Sequence, residues 1–313
     1  MRGVLERANT PDMRLVASMI LATALFGSAH ADGDSLVDML GPREIAVGEA
    51  LRGGATGSSA IGLNPAGLPL NQELVFEGGY GYRPTDQASL VNVSACDSTG
   101  GLPGCFYYDY AGSSPELAGT SMHRSTHVAG TSLAYPLSPR VSIGTSIKYL
   151  HFSSDVMGDT AASGMNFDLG TTLRVNEQIS VGVAGYNLWG AESPQWARAA
   201  GGGILARPIQ ALAISFDARW KLVDGDHSAR YGGGAELFLR SSDGQQGYPI
   251  RLGVLRDTGL GTTYISGGLG LAGMKFGIDL AARKAVAGAD ETIFIASMRV
   301  YGPRQSAGSG EPQ

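Results

Sequence analysis

Alternation of apolar and polar side chains is clearest in the stretch Leu212-Ala213-Ile214-Ser215-Phe216-Asp217-Ala218-Arg219-Trp220-Lys221-Leu222. Its even positions are all apolar, and its odd positions carry Asp217, Arg219 and Lys221 or a small residue. Successive side chains of a β-strand point to opposite faces of the sheet. The stretch therefore predicts a long strand with one apolar face and one charged face.

The same pattern recurs along the chain, for example at residues 165–175 and 274–280. Many of these segments reach about ten residues or more, whereas strands of soluble proteins are usually about five or six residues long. The connections alternate between tight and long, although the connection at 241–247 is longer than its place in the series predicts. Tight connections are expected at 138–139, 176–177, 207–208 and 272–273. Long strands joined in this way predict an all-β transmembrane antiparallel β-barrel.

The strand count predicted from the pattern is about 14, an even number as in bacterial barrels. The first three segments are weak, and the count falls to 12 if residues 74–95 form one bent strand and residues 96–124 one outer loop. The choice also decides which side of the membrane holds the loop with the cysteines, and the sequence leaves it open. Strands are expected near 74–82, 88–95, 106–110, 126–136, 140–153, 163–175, 178–188, 198–206, 209–222, 229–240, 248–256, 262–271, 274–285 and 292–301.

Composition agrees with a barrel and argues against two other classes of protein. The chain has 47 glycines, and only 16% of its 313 residues are charged, below the roughly 25% of soluble domains. A mean hydropathy of +0.01, without long apolar runs after the N-terminus, excludes a protein with several transmembrane helices. The net charge of −5 gives no support for a nucleic-acid partner.

The N-terminus is typical of an export signal. Arg14 precedes a short apolar run, and Ala29-His30-Ala31 forms a cleavage site with small residues on either side of a bulky one. We expect residues 1–31 to be removed and the mature chain to reside in the bacterial outer membrane, in contact with its lipid. Residues 32–72 would precede the barrel, residues 73–301 would form it, and residues 302–313 would be a polar periplasmic tail.

Cys96 and Cys105 are the only cysteines and flank a segment rich in glycine and proline. An exported chain reaches an oxidising compartment, where such a pair forms a disulfide. The segment contains no histidine, so a metal site is not expected there. A disulfide is therefore predicted, worth very roughly 2–3 kcal/mol.

The segment before the first strand shows no strand alternation and is rich in glycine. It contains Gly41-Pro42-Arg43, then Val47-Gly48, and ends in Asn64-Pro65-Ala66-Gly67-Leu68 directly before the first strand. This order resembles the FadL/PorV-like outer-membrane barrels, in which the corresponding segment enters the lumen as a hatch. The resemblance implies a hatch motif at Asn64, Pro65, Ala66, Gly67 and Leu68. The alternative is an ordered periplasmic tail.

The resemblance implies two functions. FadL-like members take up hydrophobic molecules such as fatty acids and hydrocarbons, so we expect a transporter or channel for small hydrophobic molecules. PorV-like members serve the export of surface proteins, so a scaffold with exported or periplasmic protein partners is the alternative, beside a structural barrel that transports nothing. The chain is shorter than the fatty-acid transporters.

The charged face of the strands would line the lumen. The expected lumen-facing residues are Lys148, Asp168, Arg174, Asp217, Arg219, Lys221, Glu236, Arg251, Lys275, Asp279, Arg283 and Arg299. Because unpaired buried charges are costly, these side chains would form ion pairs that brace the wall and the hatch. A hydrophilic passage or a gate is the alternative.

An enzyme is not expected. Ser121 and Ser125 lie near His123 and His127, as in a nucleophile and its base, but no orienting partner is evident. No cofactor or metal ligand set is expected, and the glycine runs 201–203 and 232–234 are predicted to be close-packed strand glycines and not phosphate-binding loops. A hydrophobic ligand would use the hatch or the aromatic residues Phe106, Tyr107, Tyr108, Tyr110 and Trp189.

Overall fold

The computed structural model describes residues 40–302, apart from residues 118, 191–195, 224 and 227. The predicted export signal (1–31) and the predicted tail after Gly302 lie outside the described residues. No helix in the described part of the chain has the length and apolar character needed to cross a membrane.

Fourteen antiparallel strands close into a barrel, in which each strand pairs with the barrel strands before and after it along the chain, β3 pairs with β6, and β1 pairs with β16. The strands of the barrel are β1 (Leu74–Arg83), β2 (Ala88–Asp97), β3 (Gly104–Ser113), β6 (Arg124–Pro136), β7 (Val141–Ser154), β8 (Ala162–Arg174), β9 (Ile179–Tyr186), β10 (Ala199–Ile209), β11 (Leu212–Lys221), β12 (Ala229–Arg240), β13 (Gly247–Asp257), β14 (Thr262–Ala272), β15 (Phe276–Ala287) and β16 (Thr292–Tyr301). A separate small hairpin, β4 (Glu116–Leu117) and β5 (Thr120–Ser121), lies in the connection between β3 and β6. The prediction of an all-β barrel with fourteen strands is confirmed.

The twelve-strand alternative is wrong, because the 3-10 helix Pro84–Asp86 divides the segment 74–97 into two paired strands. One tight connection was also misplaced. β10 continues through Pro208 to Ile209, and the turn is at residues 210–211. Pro208 fits inside the strand because the pairing with β11 shifts its register between Ala206 and Ile209, at a β-bulge that does not need the missing N–H.

The two faces of the wall differ as the alternation predicts. On the outer face, Phe216 is 62% exposed and Leu252 is 68% exposed. On the inner face, Asp217, Arg251 and Asp279 are buried. In β13 this alternation between exposed and buried residues continues over the whole strand. An outward apolar belt around a polar interior is the surface that a lipid bilayer requires.

The cysteine pair joins two neighbouring strands. Cys96 in β2 lies opposite Cys105 in β3, and their sulfur atoms form the predicted disulfide. The hairpin 98–103 lies at the same end of the barrel as the connections 137–140 and 175–178. We call this the short-turn end, because most connections there are tight.

Residues 40–72, called the inner segment below, precede β1 and contact the inward face of the wall. They contain α1 (Pro42–Ala46), α2 (Ser58–Leu63) and the 3-10 helix Pro65–Leu70. The first helix contacts β13, β14, β15 and β16, whereas the 3-10 helix contacts β6, β7 and β8. The inner segment therefore spans from one side of the wall to the opposite side, and its apolar residues form the main buried cluster together with inward residues of the wall.

Candidate functional site

Asn64 connects the inner segment to itself and to the wall. Its side-chain amide donates hydrogen bonds to the backbone oxygen of Arg52 (3.0 Å), to the backbone oxygen of Thr171 (3.2 Å) and to the hydroxyl of Thr172 (3.1 Å). Its side-chain oxygen accepts a hydrogen bond from the backbone N–H of Ala66 at 3.1 Å. The side chain is fully buried. Asn64 therefore both caps the 3-10 helix and fixes it against β8.

Arg52 makes a second connection from the inner segment to the wall. Its guanidinium group lies 3.0 Å from a carboxylate oxygen of Asp217 on β11, and its backbone N–H donates to the same oxygen at 2.8 Å. The guanidinium also donates to the hydroxyl of Tyr186 at 2.7 Å, and that hydroxyl donates to the backbone oxygen of Leu63. Both members of the ion pair are buried, so each charge is balanced mainly by the other.

Glu49 is the centre of a third connection. Its carboxylate accepts from Arg283 on β15 at 2.8 Å and lies 3.2 Å from Arg230 on β12. These arginines continue the network to Asp257 and Glu291 near the other end of the barrel. The backbone of Glu49 has a φ of 62°, a left-handed conformation that is uncommon outside glycine.

Arg43 begins a chain of alternating charges along the wall. It lies 3.2 Å from Glu236 on β12, and Glu236 accepts from Arg251 on β13 at 2.6 Å. Arg251 also pairs with Asp279 on β15, which in turn pairs with Arg299 on β16. The chain links four strands of the wall to α1.

Inward glycines give the inner segment room to approach the wall. A Cβ added to Gly234 would lie 2.4 Å from the backbone oxygen of Val47, and one added to Gly253 would lie 2.2 Å from the backbone nitrogen of Gly48. A Cβ on Gly232 would lie 2.1 Å from the backbone oxygen of Gly48. The same close approach to backbone atoms of the inner segment is found at Gly144 and Gly182. Backbone atoms of the inner segment therefore occupy the positions that side chains of the wall would fill.

The remaining charges of the predicted lumen set occupy different environments. Lys148 donates to Asp168 at 2.7 Å, and Arg219 lies 4.7 Å above the ring of Tyr186. Lys221, the last residue of β11, lies 3.4 Å from Asp226, which belongs to the connection that follows.

Two other members of that set lie at the short-turn end. Arg174 is the last residue of β8, and Lys275 is an exposed residue of the turn before β15.

A cavity of about 100 Å³ lies between the inner segment and the wall. We call it the lumen cavity. Its apolar lining includes Leu40, Ile61, Tyr107 and Val128. Its charged lining consists of Glu44, Glu77, Asp109, Lys148, Asp168 and Arg219. An apolar cavity of roughly 150 Å³ can hold one benzene, so this space is on the scale of a single small molecule or a few waters.

Glu44 of α1 is 3% exposed at the edge of this cavity. Burial, and next the nearby carboxylate of Glu77, raise the pKa of Glu44 above its ordinary value. The carboxyl group is thereby disposed to hold a proton more tightly than it would in water.

A second pocket of about 470 Å³ opens at the short-turn end. Arg43, Arg174, Arg207 and Arg299 line it, and its acidic residues are Glu73 and Glu177. This mouth of the barrel is therefore rich in arginine, whereas the lumen cavity is rich in carboxyl groups.

Of the aromatic residues proposed for ligand binding, Tyr107 alone lines the lumen cavity. Phe106, Tyr108 and Trp189 are exposed, at 74%, 41% and 78%. Phe106 and Tyr108 belong to the outward face of β3, on the opposite side of the wall from Tyr107.

Hydroxyl–histidine pairs do occur on the outer face. His127 Nδ1 lies 2.8 Å from the hydroxyl of Tyr108, and His151 Nδ1 lies 2.6 Å from the hydroxyl of Ser163. Ser125, proposed as a nucleophile, instead bonds Ser153 at 2.9 Å. Within the described ranges, no group of three or more His, Cys, Asp or Glu residues is placed to hold a metal ion.

Comparison with solved structures identifies the architecture. The chain is similar to CymD, a monoaromatic hydrocarbon channel, with a TM-score of 0.67 and 13% identity over 87% of this chain and 99% of that chain. The chain has the fold of the FadL-like channels. The toluene transporter TbuX of Ralstonia pickettii gives a TM-score of 0.61 and 16% identity over 85% of this chain and 98% of that chain. A FadL homologue of Pseudomonas aeruginosa gives a TM-score of 0.62 and 11% identity over 83% of this chain and 98% of that chain.

No family model matches the chain, and no curated protein matches it. Of these solved structures, CymD is named as a channel and TbuX as a transporter.

The sequence did not lead us to predict a role for four charged residues of the inner segment that contact the wall or line the lumen cavity, namely Arg43, Glu44, Glu49 and Arg52. Their clustering could have indicated such a role, because all four lie in the ten positions 43–52 of a segment that is otherwise apolar and rich in glycine. Glu77 and Asp109 were not predicted to face the lumen either, because each lies in a strand with weak alternation.

Proposed function

We propose that this protein is an outer-membrane channel for small hydrophobic molecules, in which the inner segment acts as a hatch. The observation that carries the proposal is a small cavity between the inner segment and the wall of a closed barrel. The fold is shared with proteins named as hydrocarbon channels and toluene transporters, which supports the same class of cargo here.

The short-turn end would face the periplasm, because outer-membrane barrels have short periplasmic turns and longer outer loops. The disulfide hairpin would then lie on the periplasmic side. A molecule would enter from the outer end, occupy the lumen cavity and leave after the hatch moves.

Uptake of radiolabelled toluene by cells tests this proposal. The host should lack its own channels of this kind and express the full chain, the empty vector or a variant with a filled cavity. Val128→Trp fills the cavity from the wall, because Val128 lines it and is buried. Val183→Trp is the matched control, since Val183 is 54% exposed on the outer face.

We expect uptake above the vector for the full chain and for Val183→Trp, and uptake close to the vector for Val128→Trp. Heat-modifiable migration of unboiled protein on gels verifies that each barrel is folded. Uptake no faster than the vector from a folded full-length barrel would overturn the channel proposal.

A further inference from the structure

The charged lining of the lumen cavity is unbalanced. Four carboxyl groups line it, from Glu44, Glu77, Asp109 and Asp168, but only two basic groups, from Lys148 and Arg219. One of those basic groups is already engaged, because the amine of Lys148 lies 2.7 Å from Asp168. The lining therefore contains two more carboxyl groups than basic groups.

Two of the carboxylates accept hydrogen bonds from neutral groups only. Asp109 accepts from the amide of Asn92 at 3.1 Å. Glu77 accepts from the hydroxyl of Ser297 at 2.7 Å and from the hydroxyl of Ser58. In the described part of the chain, neither carboxylate has a basic side chain within ion-pair distance. A carboxyl group can accept several hydrogen bonds, so both retain capacity for another donor.

A second, independent observation also indicates a missing donor. Asn187 lines the same cavity and is 7% exposed. Its amide nitrogen donates to the backbone oxygen of Ala197 at 3.1 Å, but its side-chain oxygen is buried without a hydrogen-bond partner in the described residues. A buried acceptor without a donor costs about 1–3 kcal/mol, so a donor that fills this space is favoured.

We infer that the lumen cavity selects small molecules that carry an amino group. The inference rests on the proposed channel function and specifies its cargo. The amino group donates to Asp109, Glu77 or the oxygen of Asn187, and the apolar part of the molecule packs against Tyr107, Val128 and Ile61. A molecule that carries a carboxylate is repelled by the same lining.

Three fluorinated probes of matched size test the inference, namely 4-fluorobenzylamine, 4-fluorotoluene and 4-fluorobenzoate. Their binding to the purified full chain in detergent is measured by ¹⁹F NMR titration, with protein-free micelles as the baseline. We expect the amine to bind at least about tenfold more tightly than the hydrocarbon, as for one hydrogen bond to a charged group. The benzoate should show no binding above the micelle baseline.

Asp109→Asn and Glu77→Gln remove one charge each while keeping the shape of the side chain. Either should weaken amine binding about tenfold and leave 4-fluorotoluene unchanged. Asp243→Asn is the control, because Asp243 is exposed in the connection between β12 and β13. Asp243→Asn should change neither the binding of the amine nor the binding of 4-fluorotoluene.

The outcomes separate this inference from the channel proposal. Equal affinity of the full chain for the amine and the hydrocarbon overturns the preference and leaves a hydrocarbon channel. Failure of all three probes to bind, together with toluene uptake no faster than the vector, overturns both. The comparison of the three probes requires only the unsubstituted chain, so a variant that fails to fold does not prevent a decision.

Discussion

Both polar atoms of the Asn64 side chain make hydrogen bonds, and these bonds position several parts of the structure. Its amide and its oxygen together reach the backbone of Arg52, the strand β8 and the start of the 3-10 helix. A buried polar network of this kind stabilises only when each member is satisfied. The motif therefore matters for the shape of the inner segment, whether or not a cargo is bound.

Replacing Asn64 with alanine should loosen the inner segment. The backbone oxygen of Arg52 and the hydroxyl of Thr172 each lose a partner in a buried site, at about 1–3 kcal/mol for each group left unsatisfied. Hydrogen exchange of residues 50–68 measures this as faster exchange in Asn64→Ala. The matched control Asn71→Ala should exchange like the parent, because Asn71 is exposed. Unchanged exchange in Asn64→Ala would contradict the role assigned to this network.

We expect the docking of the inner segment to depend on pH through Glu44. Burial raises the pKa of Glu44, so the docked state holds the proton more tightly than an undocked state with an ordinary pKa of about 4.3. This contribution to docking stability is fully present below the ordinary pKa and is lost as pH rises through the raised pKa. Exchange of residues 42–50 should therefore become faster from pH 4 to neutral pH, after correction for the intrinsic rate.

Glu44→Gln removes that titration. The variant should show a flatter pH profile and slower exchange than the parent at neutral pH. Glu49→Gln serves as the contrast, because it weakens the ion pairs with Arg230 and Arg283 and should speed exchange instead. If Glu44→Gln retains the slope of the parent, another group is responsible for it.

At the scale of elements, contact between the inner segment and the wall depends on where glycines point. In β12 and β13 the inward glycines Gly232, Gly234 and Gly253 face backbone atoms of the inner segment. The outward glycine Gly267 on β14 faces the opposite way, and the nearest atoms to an added Cβ are 3.6 Å away. The direction of a glycine, and not its mere presence, determines its role.

Gly234→Val should displace α1 from the wall. A Cβ at this position would lie 2.4 Å from the backbone oxygen of Val47, and backbone cannot yield as a flexible side chain can. We expect residues 42–54 to exchange hydrogen faster in Gly234→Val than in the parent. In Gly267→Val they should exchange at the rate of the parent. Both barrels should still migrate as folded species on gels. Equal exchange in the two variants would show that the inner segment does not rest on these glycines.

At the scale of the whole molecule, the inner segment lies against the inward face of the closed wall. It contacts strands on opposite sides of the wall, and its charges pair with inward charges of that wall. The wall itself is closed by backbone pairing between consecutive strands and between β1 and β16. We therefore expect the barrel to remain closed when the inner segment is absent.

Deletion of residues 41–68 should convert the closed barrel into an open pore. Asp217, Glu236 and Arg283 would then face water, which solvates charges that their partners no longer balance. Single-channel recording in planar bilayers should show a large, steady conductance for the deletion variant and little for the full chain. A folded deletion variant that conducts no more than the full chain would exclude the inner segment as the plug.

The sequence by itself determined the barrel, because a period of two residues is a local property. Each stretch such as 212–222 carries its apolar and charged faces within a few neighbouring residues, and repeating it predicted about fourteen strands, with twelve as the alternative. The structure decided between the two counts. The disulfide was also predicted from local sequence. The error at Pro208 arose because proline usually marks a turn, whereas a register shift with β11 accommodates it here.

Only the tertiary structure decided which charges meet. Arg52 and Asp217 are separated by 165 positions, and Glu49 and Arg283 by 234, so no local pattern could pair them. The side of the membrane that holds the cysteine hairpin likewise depended on whether β1 and β2 are separate strands. The acidic lumen cavity exists only because closing the barrel brings strands from both ends of the chain around one inner segment, and closure is a global property.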